Sequence, residues 1–389
     1  MTASTSPMRV MVVAGTRPEA IKLAPVVLEL EASPHFEADV ALTAQHREMV
    51  DQVLTLFAIR PAHDLNIIQP GQSLADVTTR ALRGLADLLA ADRPDAVVVQ
   101  GDTSTAFAGA LAAFYAAVPV VHVEAGLRTG NVRSPFPEEV NRRLVTQLSD
   151  LHLAPTPANR ANLEAEGIDP ARIAVTGNTV IDALLWTVEH SSQGYGDPAL
   201  AGLDVDPRRV LVVTAHRRES WGASMEAIGR ALGDLARAEP DLVIVFPIHR
   251  NPVVRESILP SVASLPNVVM VEPLSYGCFA ALMRRAHILL TDSGGIQEEG
   301  PSLGKPVLVM RETTERPEAV RAGTVGLVGT DQGAIVESVC ALLHDEVAYR
   351  RMARAANPYG DGHAAERTVA AMAHHFGFGP PVEEFAPRA

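Results

Sequence analysis

Short unbroken runs of Val, Ile, Leu and Ala recur from one end of this chain to the other, each followed by a longer stretch with apolar residues at helical spacing. The runs at 9–14, 39–43, 96–100, 118–123 and 173–176 form one set, and those at 210–214, 242–246, 268–271, 288–291 and 307–309 a second. A strand with one wet face alternates apolar and polar residues, whereas a continuous apolar run belongs to a strand covered on both faces. Between the runs lie helical segments such as 74–89 and 224–238. Alternation of this kind predicts an α/β protein with parallel sheets flanked by helices. The stretch 190–208, rich in Gly, Pro, Ser and Asp, reads as a linker between two similar halves. Two similar α/β halves are therefore expected, and a cleft between two such domains is the usual place for a ligand.

Composition narrows the function. Over 389 residues, 47% are hydrophobic and 20% charged, which suits packed domains rather than disorder. Thirty-three Lys and Arg stand against 46 Asp and Glu, a net charge of -13 that repels phosphate backbones, so no nucleic-acid partner is expected. Two cysteines, Cys278 and Cys340, make neither a disulfide framework nor a metal-binding spacing, so no metal is expected and the location reads as cytoplasmic. The first seven residues lack the pattern of a signal peptide. The longest apolar run, 106–121, is broken by Gly109 and Pro119 and falls short of the roughly 20 residues of a membrane helix. It reads as a buried helix feeding a strand, and no membrane partner is expected.

Neither GxGxxG nor a P-loop occurs, since Gly304-Lys305 is followed by Pro306. Chemistry is concentrated where strands end. The first strand runs into Gly15-Thr16-Arg17-Pro18-Glu19, with Lys22 beyond. Glycine permits a sharp turn and proline suits the first helical turn, which leaves Arg17 and Lys22 either holding phosphate or merely solvated at a helix start. Asp102 follows a strand in Gln100-Gly101-Asp102-Thr103 and fits either chemistry or helix capping. Glu124 follows the next strand, and Glu138-Glu139 come shortly after, ahead of Asn141 and Arg142. Carboxylates converging on a cleft raise one another's pKa and suit proton transfer, although Glu138-Glu139 also fits a first helical turn favoured by the helix dipole. In the second half, His216 leaves a strand in Thr214-Ala215-His216-Arg217, and His249 sits in Pro247-Ile248-His249-Arg250. Each fits a proton donor, a phosphate ligand or an ordinary hydrogen-bonded histidine. The segment Thr291-Asp292-Ser293-Gly294-Gly295-Ile296-Gln297-Glu298-Glu299 places two glycines at a helix start, where they form either only a tight turn or a site whose backbone N–H groups meet a diphosphate, the reading favoured by Arg311 and Arg316 after the next strand.

Taken in order, these segments resemble the non-hydrolysing UDP-N-acetylglucosamine 2-epimerases. The family's motifs stand here as GTRPEAIK (15–22), TAQH (43–46), GQSL (71–74), QGDTST (100–105), HVEAGLRT (122–129) and PEEVNR (137–142). They continue as GNTVID (177–182), TAHRRE (214–219), TDSGGIQEE (291–299), GKPVLVMRETTERPEA (304–319) and NPYGDG (357–362), so the match spans about 8–375. The resemblance implies a GT-B-like α/β fold of two Rossmann-like domains facing a central cleft, with an N-terminal domain over 1–188, a UDP-binding domain over 189–365, and a helix and tail over 366–389 returning to the first domain. It implies reversible C2 inversion of UDP-GlcNAc to UDP-ManNAc with no cofactor, through anti elimination of UDP to 2-acetamidoglucal and re-addition. By the same resemblance Asp102, Glu124 and Glu138 match residues of proton transfer, and His216 one beside the leaving diphosphate. Arg17 and Lys22 match substrate contacts, Ser293, Gly294, Gly295 and Arg316 phosphate contacts, Glu299 the ribose ligand and Phe279 the neighbour of uracil. Gln45, His46, Gln72, Arg217 and His249 match a second, activating UDP-GlcNAc site. A homodimer is implied as well. Three other readings share parts of this pattern. A hydrolysing epimerase would lack the activator set, a GT-B glycosyltransferase would need an acceptor pocket, and a sugar-nucleotide sensor would be expected to have lost a catalytic residue.

Overall fold

The computed structural model describes residues 6–43, 47–69, 71–191 and 194–387. The chain divides into two compact units, 1–183 with 359–386, and 184–358 with 387–389. The boundaries expected from sequence stood at 188 and 365. The first break falls inside the helix Thr179–His190, and the chain returns to unit 1 at Tyr359, whose carbonyl accepts the Asn178 amide at 2.7 Å.

Among the described residues, unit 1 is built on seven strands: β1 (Met8–Ala14), β2 (Phe36–Leu42), β3 (His63–Asp64), β4 (Ala96–Gln100), β5 (Val120–Val123), β6 (Leu151–Ala154) and β7 (Ile173–Val175). They lie in the order β3-β2-β1-β4-β5-β6-β7, and every pair is parallel. All five residues of β4 are buried, which is why its sequence shows no alternation. Burying one such valine side chain contributes about 1.5–3 kcal/mol relative to exposure. The apolar run 106–121 forms the helix Ser104–Tyr115 and then enters β5, as expected. The C-terminal helix Ala364–His375 packs on the helix Arg17–Ala32. The tail beyond it reaches β7, where the Phe385 amide donates to the Val175 carbonyl at 2.8 Å.

Unit 2 carries β8 (Arg209–Thr214), β9 (Leu242–Pro247), β10 (Val268–Val271), β11 (Ile288–Thr291), β12 (Val307–Val309) and β13 (Val325–Leu327) in the order β10-β9-β8-β11-β12-β13, again all parallel. The stretch 190–208 departs from the linker expected there. Tyr195, Leu200 and Leu203 are buried, and Arg285 donates to the carbonyls of Leu203, Asp206 and Arg208. Turn-forming composition here records irregular backbone, not freedom from packing.

In each sheet the strand order reverses once, between β1 and β4 in unit 1 and between β8 and β11 in unit 2. Connections on the two sides of such a point leave in opposite directions and open a crevice at the carboxyl ends of the strands. The residues there are Gly15–Arg17 and Gln100–Asp102 in the first unit, and His216 and Asp292–Gly295 in the second.

Candidate active site

At the end of β1 the turn is fixed by Glu19. This fully buried carboxylate accepts the amides of Gly15 at 3.0 Å and Thr16 at 2.7 Å and the Thr103 hydroxyl. Burial pushes its pKa up against those hydrogen bonds. Gly15 has no substitute here, because a Cβ would collide with the hydroxyls of Thr43 and Thr105. The turn sets Arg17, half-buried, at the first position of its helix and Lys22 on the next turn.

Lys22 does not stand free in solvent. Its Nζ lies 2.6 Å from both Glu124 carboxylate oxygens. Glu124 also accepts from the Gln100 side-chain amide and, at 3.4 Å, from Asn178 Nδ2. Its backbone is left-handed (φ 63°), an unusual state for a non-glycine residue that turns the carboxylate back over the sheet end.

Asp102 is not the helix cap: Thr103 takes that place, its hydroxyl accepting the Ala106 amide at 3.0 Å. The Asp102 side chain meets Arg142, whose Nε lies 3.0 Å from Oδ2 and whose Nη2 contacts the same oxygen. Burial pushes the Asp102 pKa up, Arg142 and Lys22 draw it down, and Glu124 adds an upward push. Two candidate proton-transfer carboxylates and Lys22 therefore form one electrostatic group. Glu138 opens the helix Glu138–Leu148, so the helix-dipole placement holds, yet its Oε2 is buried without a hydrogen-bond partner. Its neighbour Glu139 turns inward, fully buried, and accepts the amides of Thr129 at 3.0 Å and Gly130 at 3.2 Å. Burial acts upward on Glu139, but these bonds with Arg143 and Arg142 outweigh it and hold the pKa low. Beneath the group, buried His122 directs Nε2 at the Gly101 carbonyl, 2.8 Å away. Burial lowers its pKa to about 4, so the ring is neutral.

In unit 2, His216 is organised by Asp292. The amides of His216 and Arg217 donate to Asp292 Oδ2 at 2.6 and 2.7 Å, and His216 Nδ1 lies 2.9 Å from Oδ1. Burial raises the Asp292 pKa, but the His216 side chain and the two amides outweigh it and hold the carboxyl below its ordinary value. With Nδ1 turned to Asp292, Nε2 is the nitrogen left for a ligand. His249 stacks on His216 with ring centroids 5.9 Å apart, and Arg217 Nε donates to the Asp292 carbonyl at 3.0 Å.

Ser293 is the N-cap of the helix Gly294–Ser302. Arg316 reaches across this helix start: a Cβ on Gly294 would come within 2.6 Å of Arg316 Nη1. Its guanidinium is aimed by Glu298 at 2.6 Å and Glu315 at 2.9 Å. Glu315 is itself held down to about 2, Arg316 and Arg311 outweighing burial. An arginine fork over helix N–H groups is suited to a diphosphate. Glu299, on the inner face of the helix, accepts the Tyr276 hydroxyl at 3.2 Å, and Phe279 lies one turn further along the helix Tyr276–Arg285, half-buried.

Of the residues matched to an activating site, Arg217 and His249 adjoin His216. Gln72 is turned into its own loop, donating to the Ile67 carbonyl at 2.8 Å and accepting the Gln69 amide at 2.6 Å. Gln45 and His46 lie outside the described residues. The sequence alone gave no role to Gln100, Asn178, Arg142 and Asp292, although each stands within a motif quoted above. Among the described residues no group of His, Cys, Asp and Glu is placed to hold a metal ion, and no helix is long and apolar enough to cross a membrane.

Two parallel-sheet Rossmann-like units with these strand ends define an α/β protein of the GT-B-like class. The model of the family described as UDP-N-acetylglucosamine 2-epimerase matches residues 28–373. A UDP-N-acetylglucosamine 2-epimerase of Escherichia coli (strain K12) is 54% identical over 369 residues, 94% of this chain and 98% of that protein. Among solved structures, a putative UDP-N-acetylglucosamine 2-epimerase from Listeria monocytogenes has a TM-score of 0.91 at 45% identity, covering 98% of this chain and all of that one. The UDP-GlcNAc 2-epimerase from Neisseria meningitidis, solved bound to UDP-GlcNAc, has a TM-score of 0.85 at 49% identity, covering 94% of this chain and all of that one. The chain belongs to the UDP-N-acetylglucosamine 2-epimerase family, whose members are isomerases.

Proposed function

We propose that this enzyme inverts C2 of UDP-GlcNAc reversibly to UDP-ManNAc without hydrolysis, by anti elimination of UDP and re-addition. The grouping of Asp102, Glu124 and Lys22 at the ends of β4, β5 and β1 carries the reading. The Neisseria relative, solved with UDP-GlcNAc bound, supports the substrate. The C2 proton of the sugar is not adjacent to a ketone, so its removal needs help from departure of the anomeric oxygen. A carboxylate among Asp102, Glu124 and Glu138 takes the proton, the C2–H electrons form the C1–C2 double bond, and the C1–O bond breaks to release UDP. Protonation of 2-acetamidoglucal on the opposite face and attack of the UDP oxygen at C1 restore the atom count. Ser293, Gly294, Gly295 and Arg316 take the diphosphate, Glu299 the ribose, Phe279 the uracil, and Arg17 the substrate. His216, oriented by Asp292, stabilises charge on the leaving group.

Lys22 has two parts in this scheme: it contacts substrate, and it pairs with Glu124 while the site waits. We assign Gln45, His46, Gln72, Arg217 and His249 to activation by a second UDP-GlcNAc. Exposed Phe114, Tyr115, Val140 and Leu144 on the helices Ser104–Tyr115 and Glu138–Leu148 support a homodimer. Two free thiols, Cys278 and Cys340, support a cytoplasmic location.

Positional isotope exchange tests the elimination step. Substrate with oxygen-18 in the sugar–phosphate bridge should scramble the label into the non-bridging β-phosphate positions as fast as epimer forms. His216→Ala should slow both by about 100- to 1000-fold. Epimer formed with the label held in the bridge would contradict cleavage of the C1–O bond.

A further inference from the structure

The buried face of the helix Glu138–Leu148 holds Asp102 twice. Asn141 Nδ2 donates to the Asp102 main-chain carbonyl at 2.9 Å, and the next residue, Arg142, takes the side chain. Arg142 is 6% exposed at its side chain, and its guanidinium is shared: Nε and Nη2 go to Asp102 Oδ2, while Nη1 lies 3.2 Å from Glu139 Oε2. Glu139 is in turn fixed by the Thr129 and Gly130 amides and by Arg143 at 2.9 Å. The fork therefore cannot swing without breaking a buried network, and its geometry passes to the carboxylate it holds. The same helix opens with Glu138, so one rigid element sets both Glu138 and Asp102.

We propose that Arg142 is a positioning residue that acts through Asp102, fixing where that carboxylate stands at the reacting sugar and keeping it paired with a cation. This rests on the assignment of Asp102 to proton transfer. Two other charged groups act on Asp102. Lys22, on the helix Arg17–Ala32, draws its pKa down. Glu124, beyond β5, pushes it up, and burial pushes in the same direction as Glu124. With Arg142 removed, the downward pull falls to Lys22 alone, and Asp102 protonates at higher pH.

The test is a double-mutant cycle read by exchange of the C2 proton for deuterium, with kcat/KM followed across pH. Misplacing a reacting group by about 1 Å costs on the order of 100-fold, the loss expected for Arg142→Met. Its acid limb in kcat/KM should move to higher pH. Arg142→Lys, which keeps the charge but not the fork, should show a smaller loss and a limb near that of the native enzyme. Asp102→Asn alone should cost on the order of 100- to 10,000-fold. Adding Arg142→Met to it should cost no more than about threefold further, because the residue through which Arg142 acts is already disabled. If Arg142→Met does not fold, judged by circular dichroism, Arg142→Lys carries the same cycle. Additive losses, or a limb that stays put when the cation is removed, would overturn the inference while leaving the role of Asp102 intact. Native-like activity of Asp102→Asn would remove Asp102 from the reaction and overturn both.

Discussion

Single atoms decide much of the site, and Gly294 is the plainest case. With no Cβ, it lets Arg316 lie over the helix start, pinned by Glu298 and Glu315. Gly294→Ala would displace the guanidinium, and a charge-assisted hydrogen bond is worth about 1.5–3 kcal/mol, so KM for UDP-GlcNAc should rise by about tenfold or more. Steady-state kinetics would check this. A variant with native KM would mean that Arg316 does not hold the diphosphate. The paired glycines were legible in the sequence because few other roles require two at the start of a helix. Asp292 was not legible as the residue that aligns His216, since the two are 76 positions apart and meet only through the pairing of β8 with β11. Lys22 and Glu124 illustrate the same limit. Each stood out at its own strand end, but nothing in spacing says that a cation after β1 reaches a carboxylate after β5.

At the scale of elements, strands made of an unbroken apolar run were readable, and interrupted or two-residue ones were not. The runs at 268–271, 288–291 and 307–309 match β10, β11 and β12 residue for residue. β3 has only two residues, β6 is interrupted by buried His152, and β13 by Gly326, so none makes a recognisable run. Helix-to-helix ties were equally invisible. Asp182, on the helix Thr179–His190, accepts the Ala365 amide at 2.7 Å at the start of the helix Ala364–His375. Burial raises its pKa from 3.8 to about 6. A folded-state value above the unfolded one means that ionisation opposes folding. The penalty is absent below about pH 4 and complete above about pH 6, reaching about 3 kcal/mol. Asp182→Asn keeps an acceptor for the Ala365 amide and removes the charge. It should therefore resist urea better than the native chain at pH 8 and match it near pH 4. Lower stability at pH 8 would contradict the burial argument.

For the whole molecule, the alternation of strands and helices predicted two α/β halves, and the chain folds into two such units. A returning C-terminal segment was not legible from periodicity, because a docking helix reads like any other; the family resemblance implied one over 366–389, whereas the segment grouped with unit 1 is 359–386. The proposed activation is tested at this scale. Initial velocity against UDP-GlcNAc should be sigmoidal, and UDP-GlcNAc should stimulate the reverse reaction; a strictly hyperbolic curve without stimulation would refute the second site. The account as a whole is tested most directly by proton NMR of the enzyme with UDP-GlcNAc in D2O and no added cofactor. It predicts a new UDP-ManNAc anomeric signal with deuterium at C2. Free ManNAc with UDP, or epimer that keeps its C2 proton, would contradict it.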